Sequence, residues 1–491
     1  MNYLELLRLA FPEAHVTVTS LVVLALGLRR TRPAALCSWV AAIGLAFAIV
    51  AVLRLPQNAT LFGGMLVITP LTSLFKIICL VLAIFTVTMA HSDSSARRNH
   101  GEYLAMILLA TIGLMLLVGS EELLMIFIGL ELTGLSLYVL TGFDKSDPRS
   151  AEAGLKYFLF GSIASAFTLF GLSLVYGMCG TTGLAAIGEK LTTQSVQPLL
   201  AAGVVMTLIG FAFKIAAAPF HLWAPDTYQG APIPSAAFIA SGSKVASFVV
   251  LGKIVFVGFG PLQGSAAWHA IVAGWAPVVA VLAALSIVIG NLVALAQTNV
   301  RRLLAYSAIA HAGYTLLGLV VGGRDGFGAT LFYTTGYAFT LVGAFGVVAL
   351  VRRETGGDDL TNFAGLRERS PFLAGCMAIF MLSLAGLPPL AGFFGKFYLF
   401  SAALRVDENR GLLWLVALAL FGSLISLYYY LIILKWIFAD RSSSSQRSGP
   451  DPLPSNVGLL QRISLASLAA AVLFLGIAPS PLIARILAAL P

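Results

Sequence analysis

The sequence predicts an all-α membrane protein of about 14 transmembrane helices, with two inverted five-helix repeats that each contain a discontinuous helix. Of its 491 residues, 59% are hydrophobic and 10% are charged, and the mean hydropathy is +0.93. Soluble domains do not have this composition, whereas a helix that spans a bilayer needs about 20 mainly apolar residues. The segments that meet this need are 13–28, 34–53, 67–90, 102–119, 122–141, 153–178, 198–228, 232–258, 267–297, 301–322, 327–351, 371–403, 411–438 and 459–489.

The repeat is indicated by two similar interruptions, in the seventh and twelfth spans. PFHLWAPDTY, which begins at Pro219, aligns with PLAGFFGKFY, which begins at Pro389, and the alignment places Asp226 on Lys396. Each proline removes a backbone donor and breaks its helix. Because the copies are an odd number of spans apart, they run in opposite directions, as in an inverted repeat. The predicted units are an N-terminal three-helix segment (1–100), repeat one (101–260, spans four to eight), repeat two (261–440, spans nine to thirteen), and a cytoplasmic loop with a C-terminal helix (441–491).

Basic residues predict the orientation. One side of the predicted membrane carries Arg29, Arg30, Arg32, Arg97, Arg98, Lys145, Arg149, Arg301, Arg302, Arg352, Arg353, Arg367, Arg369, Arg441 and Arg447. The other side carries Arg8, Arg54, Lys190, Arg324, Arg405 and Arg410. The positive-inside rule places the first set in the cytoplasm and both termini on the periplasmic side. The net charge of +9 therefore sets topology and does not indicate nucleic-acid binding.

Among the ionisable side chains of these spans, the main candidates for a function are Glu131, Lys214, Lys244 and Lys396. A charge at membrane depth costs about 2.5–3.5 kcal/mol, so it is retained mainly where an ion, a proton or a partner charge needs it. Lys214 lies five residues before the break at Pro219, and irregular backbone at that depth is tolerated only inside protein or along a wet cavity. These groups predict a path for protons, with structural ion pairing as the alternative.

Three further residues are possible relays, each with a structural alternative. Lys156 lies near the cytoplasmic end of the sixth span and either snorkels or links the path. Asp226 either relays protons, or only caps the break, or only faces the cytoplasm. His311 shares a helical face with Ser307 and Tyr314, where it either relays protons or packs as a hydrogen-bonded histidine. The lysines expected simply to snorkel are Lys76, Lys253 and Lys435.

Cofactor motifs are missing from the sequence. The cysteines Cys37, Cys79, Cys179 and Cys376 are scattered through apolar segments without a CxxC pair, so we expect small buried side chains and no metal ligands. The sequence has no Walker loop, no GxGxxG after a strand and no iron–sulfur spacing. We therefore expect no cofactor and no metal in this chain.

Seven segments make the chain similar to the antiporter-like membrane subunits of respiratory complex I, the bacterial proton-translocating NADH–quinone oxidoreductase. They are GLELTGLSLYVL, AEAGLKYFLFGS, YGMCGTTGL, FKIAAAPFHLWAPDTYQGAP, SGSKVASF, NVRRLLAYSAIAHAGY and LAGLPPLAGFFGKFYLF. The resemblance extends from the third predicted span to the thirteenth. One departure is VITPLTSLFK, where the family leads us to expect an acidic residue near Pro70.

The resemblance implies that the chain translocates protons, with Glu131, Lys214, Lys244 and Lys396 as the path and Lys156 as a link. Quinone reduction in another arm of the complex would drive electrostatic rearrangement along a row of such subunits. NADH, FMN, iron–sulfur clusters and quinone would be used by other subunits. The implied partners are other membrane subunits, including antiporter-like paralogues, within the lipid bilayer of the bacterial inner (cytoplasmic) membrane.

Two other functions also fit the residues. A cation/proton antiporter subunit would share the fold and the lysines, and an assay of ion dependence separates it from a respiratory subunit. A solute transporter with broken helices is the second alternative, although the inward-facing polar residues suit proton relay better than recognition of an organic substrate.

Overall fold

The computed structural model describes residues 3–29, 34–91, 93, 99–193, 195–405, 411–439 and 457–490, and these are mainly helical. Some residues used above to predict the orientation lie outside these ranges: Arg30, Arg32, Arg97, Arg98, Arg410, Arg441 and Arg447. Most of the polar segment after the thirteenth predicted span lies outside them too.

The N-terminal part consists of four helices and a short hairpin. The helices are α1 (Tyr3–Leu9), α2 (Phe11–Gly27), α3 (Ala34–Leu53) and α4 (Pro70–Ala90), and the antiparallel strands are β1 (Ala59–Leu61) and β2 (Leu66–Ile68). The axes of α1 and α2 differ by 73°. The Thr69 side chain accepts a hydrogen bond from the Thr72 N–H at 3.2 Å, and Pro70 occupies the first turn. This cap starts α4 three residues later than the predicted span at 67.

The central part contains the first discontinuous helix. Its helices are α5 (His100–Gly119), α6 (Leu123–Thr141), α7 (Pro148–Cys179), α8 (Leu184–Thr193), α9 (Pro198–Lys214), α10 (Trp223–Gly230), α11 (Ile233–Phe238) and α12 (Lys244–Lys253), with π-helical turns at Ile239–Ser243 and Ile254–Gly258. Between α9 and α10, the Ala218 N–H donates to Ser286 Oγ at 2.8 Å. Trp223 Nε1 donates to the Phe213 carbonyl at 3.1 Å. Such bonds satisfy backbone groups released by a break inside the membrane.

The C-terminal part contains the second discontinuous helix. Its elements are β3 (Ser265–Ala267), β4 (Ala270–Val272), α13 (Trp275–Ala294), α14 (Val300–Val321), α15 (Gly323–Thr355), α16 (Leu366–Arg369), α17 (Pro371–Ala385), α18 (Ala391–Arg405), α19 (Leu413–Phe438), α20 (Leu459–Ile477) and α21 (Ser480–Ala489). At the end of α17, Gly386 has a φ of +86°, which favours glycine. The Gly392 N–H then donates to Ser383 Oγ at 3.2 Å. The break predicted in the twelfth span is therefore present.

The ninth predicted span begins later than expected. The sequence placed its start at 267, but residues 265–272 form the β3–β4 hairpin and α13 begins at Trp275. The Trp268 N–H donates to the Gly411 carbonyl at 2.9 Å, and Trp414 Nε1 donates to the Ala266 carbonyl at 3.1 Å. The hairpin is held by the connection before α19 and by the first turn of α19. The local sequence does not reveal these contacts.

Eleven of the described helices, or twelve if the bent pair α1–α2 counts as one span, are long and apolar enough to cross a membrane. α9 precedes the first break and α17 the second, and both are apolar helices too short to count among these spans. The total of about 14 spans therefore stays a prediction. The segment Ile233–Gly258 is 100% buried, α14 94% and α15 89% over their apolar windows. These elements form the centre of the molecule.

Asp358 anchors the loop between α15 and α16. This buried carboxylate pairs with Arg301, and with Arg352 Nη1 at 3.1 Å. Asn299 Nδ2 also donates to it at 2.7 Å. Burial raises the pKa of the Asp358 carboxyl, but the two arginines and the hydrogen bonds outweigh burial and hold the pKa below its usual value. Its stabilising effect is therefore present above about pH 3.9, and is lost as the pH falls through the lower folded-state pKa.

We expect Asp358→Asn to lower the free energy of unfolding by about 3–5 kcal/mol, because it removes the anion from the buried Arg301 guanidinium. Thermal unfolding of the purified protein in detergent at pH 7 measures the change as a lower Tm. Asp359→Asn is the matched control, since Asp359 is exposed and accepts a hydrogen bond from the same Asn299 at 3.0 Å. A Tm for Asp358→Asn no lower than that of the control would contradict this prediction.

Candidate functional site

Glu131 and Lys214 line one small cavity between α6, α7 and α9, with a volume of about 20 Å³. That is room for about one water molecule. Ser165 of α7 donates a hydrogen bond to Glu131 Oε1. A Cβ placed on Gly134 would lie 3.6 Å from Lys214 Nζ, so the amine packs on the turn of α6 that follows Glu131. We call the space lined by Glu131, Ser165 and Lys214 the carboxylate cavity.

A glycine makes this cavity possible. A Cβ at Gly210 would collide with Thr168 Oγ1 of α7, so only glycine lets α9 approach α7 this closely. Lys214 is the last residue of α9 and is 7% exposed. The helix end thus brings a buried amine beside a carboxylate of another helix.

Lys244 begins α12, directly after a π-helical turn. Its Nζ donates to the Ala308 carbonyl of α14 at 2.7 Å and lies 5.7 Å from the centre of the Tyr337 ring. The side chain is buried. A carbonyl and an aromatic face both stabilise a buried ammonium group.

His311 has a hydroxyl partner at each ring nitrogen. Nδ1 lies 2.7 Å from Tyr333 OH and Nε2 lies 3.0 Å from Tyr430 OH. Ser307, on the predicted shared face, also hydrogen-bonds Tyr430 OH. Because a hydroxyl both donates and accepts, either imidazole tautomer satisfies this arrangement.

Lys396 is held at the end of α17. Its Nζ donates to the Leu384 and Ala385 carbonyls at 3.2 and 3.1 Å and to Ser423 Oγ at 2.7 Å. The amine also lies 5.2 Å from the centre of the Tyr314 ring. Three acceptors and an aromatic face surround the charge, so its neighbours within the protein replace the water lost on burial.

A continuous row of side chains joins Lys244 to Lys396. The Tyr337 ring centre lies 4.9 Å from that of His311, which in turn lies 5.6 Å from that of Tyr314. We call these five residues the histidine seam. Among the described residues, no direct hydrogen bond joins Lys214 to Lys244, so the site has two separate parts.

Asp226 lies outside both parts, in an ion-pair cluster. Lys156 Nζ is 2.7 Å from Asp226 Oδ2 and 2.6 Å from Glu152 Oε1. Arg302 Nη1 is 2.6 Å from Asp226 Oδ1. The Lys156 side chain is 40% exposed, and such pairs contribute about 0–1 kcal/mol. The sequence identified Asp226 and Lys156 but not Arg302, which is 76 residues from Asp226.

The expectation that Lys76 and Lys253 snorkel is wrong. Both are buried. Lys76 Nζ lies 2.6 Å from Glu13 Oε1, and Lys253 Nζ lies 3.3 Å from Glu121 Oε1 and 3.0 Å from the Val118 carbonyl. Glu13 lies in α2 and Glu121 in the connection between α5 and α6, and the carbonyls that end α5 attract cations. Lys435, in contrast, is exposed.

The predicted burial of the cysteines is confirmed, since all four are buried and free. Within the described ranges, no group of three or more His, Cys, Asp or Glu side chains is arranged to hold a metal ion.

Comparisons with known proteins identify the family and fold to which this chain is similar. A family model described as "NADH:quinone oxidoreductase/Mrp antiporter, TM" matches residues 120–426. The chain is 45% identical over 494 residues to NADH-quinone oxidoreductase subunit N 2 of Acidobacterium capsulatum, with 98% of each protein covered.

Two solved structures have similar chains. One is respiratory complex I from Thermus thermophilus with bound aureothin, with 32% identity, a TM-score of 0.78, and 96% of this chain and 98% of that chain covered. The other is the Mrp complex from Dietzia sp. DQ12-45-1b, with 21% identity, a TM-score of 0.86, and 99% and 97% covered. The second likeness concerns the fold alone.

Proposed function

This chain belongs to the NADH:quinone oxidoreductase/Mrp antiporter family of membrane proteins, together with subunit N of NADH–quinone oxidoreductases, and we propose that it moves protons across the membrane within such a complex. Glu131, Lys214, Lys244 and Lys396 would carry the protons. The relatives are subunits of a multi-subunit enzyme. NADH, FMN, iron–sulfur clusters and quinone would be used by neighbouring subunits.

The observation that carries this proposal is the histidine seam. It connects two buried amines through aromatic and imidazole groups in the most buried part of the fold. The proton relay within the seam would use the two hydroxyls that bind His311, those of Tyr333 and Tyr430. One hydroxyl would take up a proton and give its own proton to a ring nitrogen of His311, while the other ring nitrogen gives its proton to the second hydroxyl, which passes its own proton on. Each such exchange leaves a neutral ring and two neutral hydroxyls.

The carboxylate cavity would supply protons to the histidine seam. Glu131 and Lys214 are opposite charges on one cavity, so a change in the charge of one alters the free energy of protonating the other. At an effective dielectric constant of about 20, two unit charges interact by about 4 kcal/mol at 4 Å and by less at greater separations. Moving a proton against 100 mV costs about 2.3 kcal/mol. Charge changes between close neighbours would therefore be of the size needed to drive one transfer.

We further propose that residues 101–260 and 261–440 are inverted repeats within about 14 spans. The alignment of Pro219 with Pro389 places Lys214 opposite Leu384. Lys396 Nζ binds the Leu384 carbonyl, so each repeat has an amine at the corresponding break. In this arrangement both termini are periplasmic, protons enter near the seventh span and leave near the twelfth, and the complex lies in the bacterial inner membrane beside antiporter-like paralogues.

The test is ion transport by the purified complex in proteoliposomes. We expect NADH oxidation with quinone to acidify the vesicle interior, in vesicles oriented for inward pumping, at the same rate with and without Na⁺. A pH-sensitive dye inside the vesicles measures this rate. Acidification that needs Na⁺, or a Na⁺ flux that replaces it, would favour the cation/proton antiporter over this proposal.

A further inference from the structure

Tyr138 and Tyr157 continue from the carboxylate cavity toward the first break. Tyr138 of α6 lines the cavity together with Glu131 and Lys214. Its ring centre lies 4.7 Å from that of Tyr157 of α7, in an edge-to-face arrangement. The Tyr157 ring stacks in turn on Trp223, the first residue of α10, with ring centres 4.3 Å apart. A row of aromatic side chains therefore leads from the cavity to the helix that follows the break.

Tyr228 connects α10 with α15. It follows Trp223 by five residues, so the two side chains point in directions about 140° apart around the helix. The Tyr228 ring meets Phe345 of α15 edge to face, with ring centres 5.9 Å apart. Tyr228 is also close enough to interact electrostatically with Tyr157 and with Tyr337, a member of the histidine seam. Tyr228 therefore lies between the two separate parts of the site.

Three hydroxyl groups along this row have no hydrogen-bond partner among the residues that the structure describes. They belong to Tyr157, Tyr228 and Tyr337, and all three side chains are buried. About 90% or more of the buried polar groups in native proteins are hydrogen-bonded, and leaving one without a partner is costly. Internal water molecules are the usual partners of groups that the protein itself does not satisfy. The three hydroxyls therefore mark positions where bound water is expected.

Packing alone does not account for a tyrosine at position 228. The ring of a phenylalanine would fill nearly the same space without adding a buried polar atom that has to be satisfied. The hydroxyl of Tyr228 both donates and accepts a hydrogen bond. It adds this ability at the place where no direct hydrogen bond joins the two parts of the site.

We infer that Tyr228 transfers protons from the carboxylate cavity to the histidine seam, through water molecules bound at the hydroxyls of Tyr157, Tyr228 and Tyr337. The inference rests on the proposed proton transport and adds a residue to its path. A water on the Tyr157 side would give a proton to the Tyr228 oxygen, while Tyr228 gives its own proton to a water on the Tyr337 side. One O–H bond forms and one breaks at that oxygen, so the hydroxyl stays neutral and one proton has moved. Rotation about the C–O bond then restores the starting arrangement.

Tyr228→Phe in the purified complex is the test, since it removes one oxygen and keeps the ring. In proteoliposomes the rate of proton pumping should fall about tenfold or more, because loss of a proton-transfer group lowers rates at least that far. The Tm should stay close to the wild-type value, since the Tyr228 hydroxyl has no partner among the described residues. Tyr157→Phe should reduce pumping as well, and it decides the question if Tyr228→Phe does not fold.

Tyr103→Phe is the matched control. Tyr103 is also a fully buried tyrosine, but its hydroxyl lies 2.6 Å from Ser235 Oγ, and it belongs to neither part of the site. This variant should lower the Tm, because it removes a hydrogen bond within the protein, and it should pump protons at the wild-type rate. A loss of pumping without a loss of stability in Tyr228→Phe, and the reverse in Tyr103→Phe, separates proton transfer from a structural role.

An electron cryomicroscopy map of the complex, at a resolution that shows ordered water, tests the water molecules directly. Density for water should lie about 2.8 Å from the Tyr228 oxygen. A Tyr228 hydroxyl without a neighbouring water would overturn the inference, as would wild-type pumping by a folded Tyr228→Phe complex or an equal loss of pumping in Tyr103→Phe. These results would leave proton transport by the wild type intact. A wild-type complex that moves no protons would instead contradict the proposed function on which the inference depends.

Discussion

Lys214→Ala should reduce proton pumping by about tenfold or more, since removing a proton-transfer group in enzymes costs about 10²–10⁴-fold in rate. The amine at the end of α9 lines the same cavity as Glu131, and alanine can neither take up nor release a proton there. Coupled quinone reduction should fall with pumping. Both rates are measured with the purified complex in proteoliposomes, and native gel electrophoresis measures assembly.

Lys435→Ala is the control for this variant. Lys435 is also a lysine in a spanning helix, but it is exposed near the end of α19, so pumping should stay at the wild-type rate. A fully assembled Lys214→Ala complex that pumps normally would exclude Lys214 as a carrier. If the Lys214→Ala complex does not assemble, Lys214→Arg decides instead. Arginine keeps the charge but does not release a proton.

Lys396→Arg should also greatly reduce the rate of proton pumping, although it preserves the positive charge. An arginine does not release its proton in the range where a buried lysine exchanges one. The acceptors at the end of α17 and Ser423 should keep the guanidinium in place, so the variant separates charge from proton transfer. The measurement is the number of protons pumped per NADH oxidised.

The surroundings of Lys396 demand a second variant. A Cβ at Gly386 would lie 2.9 Å from Lys396 Cδ, so a larger side chain risks overpacking, which typically costs about 1–3 kcal/mol. Lys396→Met keeps an unbranched chain without a proton to transfer and should fail to pump as well. Wild-type pumping by either variant in a complex of normal Tm would rule out proton transfer through this position.

Much of the site is visible in the sequence, because a charge in an apolar run is a local signal. The free-energy cost of burying a charge is what singles out Glu131, Lys214, Lys244 and Lys396. The helical spacing of Ser307 and His311 correctly predicts a shared face, since three to four residues make one turn. The proton-carrying roles of these residues remain predictions.

The partners of these residues are not visible in the sequence, because they lie far apart in the chain. Nothing in the local sequence of Tyr333 or Tyr430 distinguishes them from other tyrosines in apolar helices. Only the packing of the helices brings both hydroxyls to His311. Lys76 and Lys253 have the local sequence of snorkelling lysines, and only the fold brings carboxylates from distant parts of the chain to them.

The sequence by itself determined that this protein is helical, spans a membrane, breaks two of its helices at prolines and buries several lysines. Those properties follow from hydropathy, from the missing N–H of proline and from single charges in apolar runs. Only the tertiary structure decided which amine meets which acceptor. The reason is physical: helix packing sets the contacts between residues distant in sequence, and a buried charge is stabilised only by the groups that packing places within a few ångströms of it.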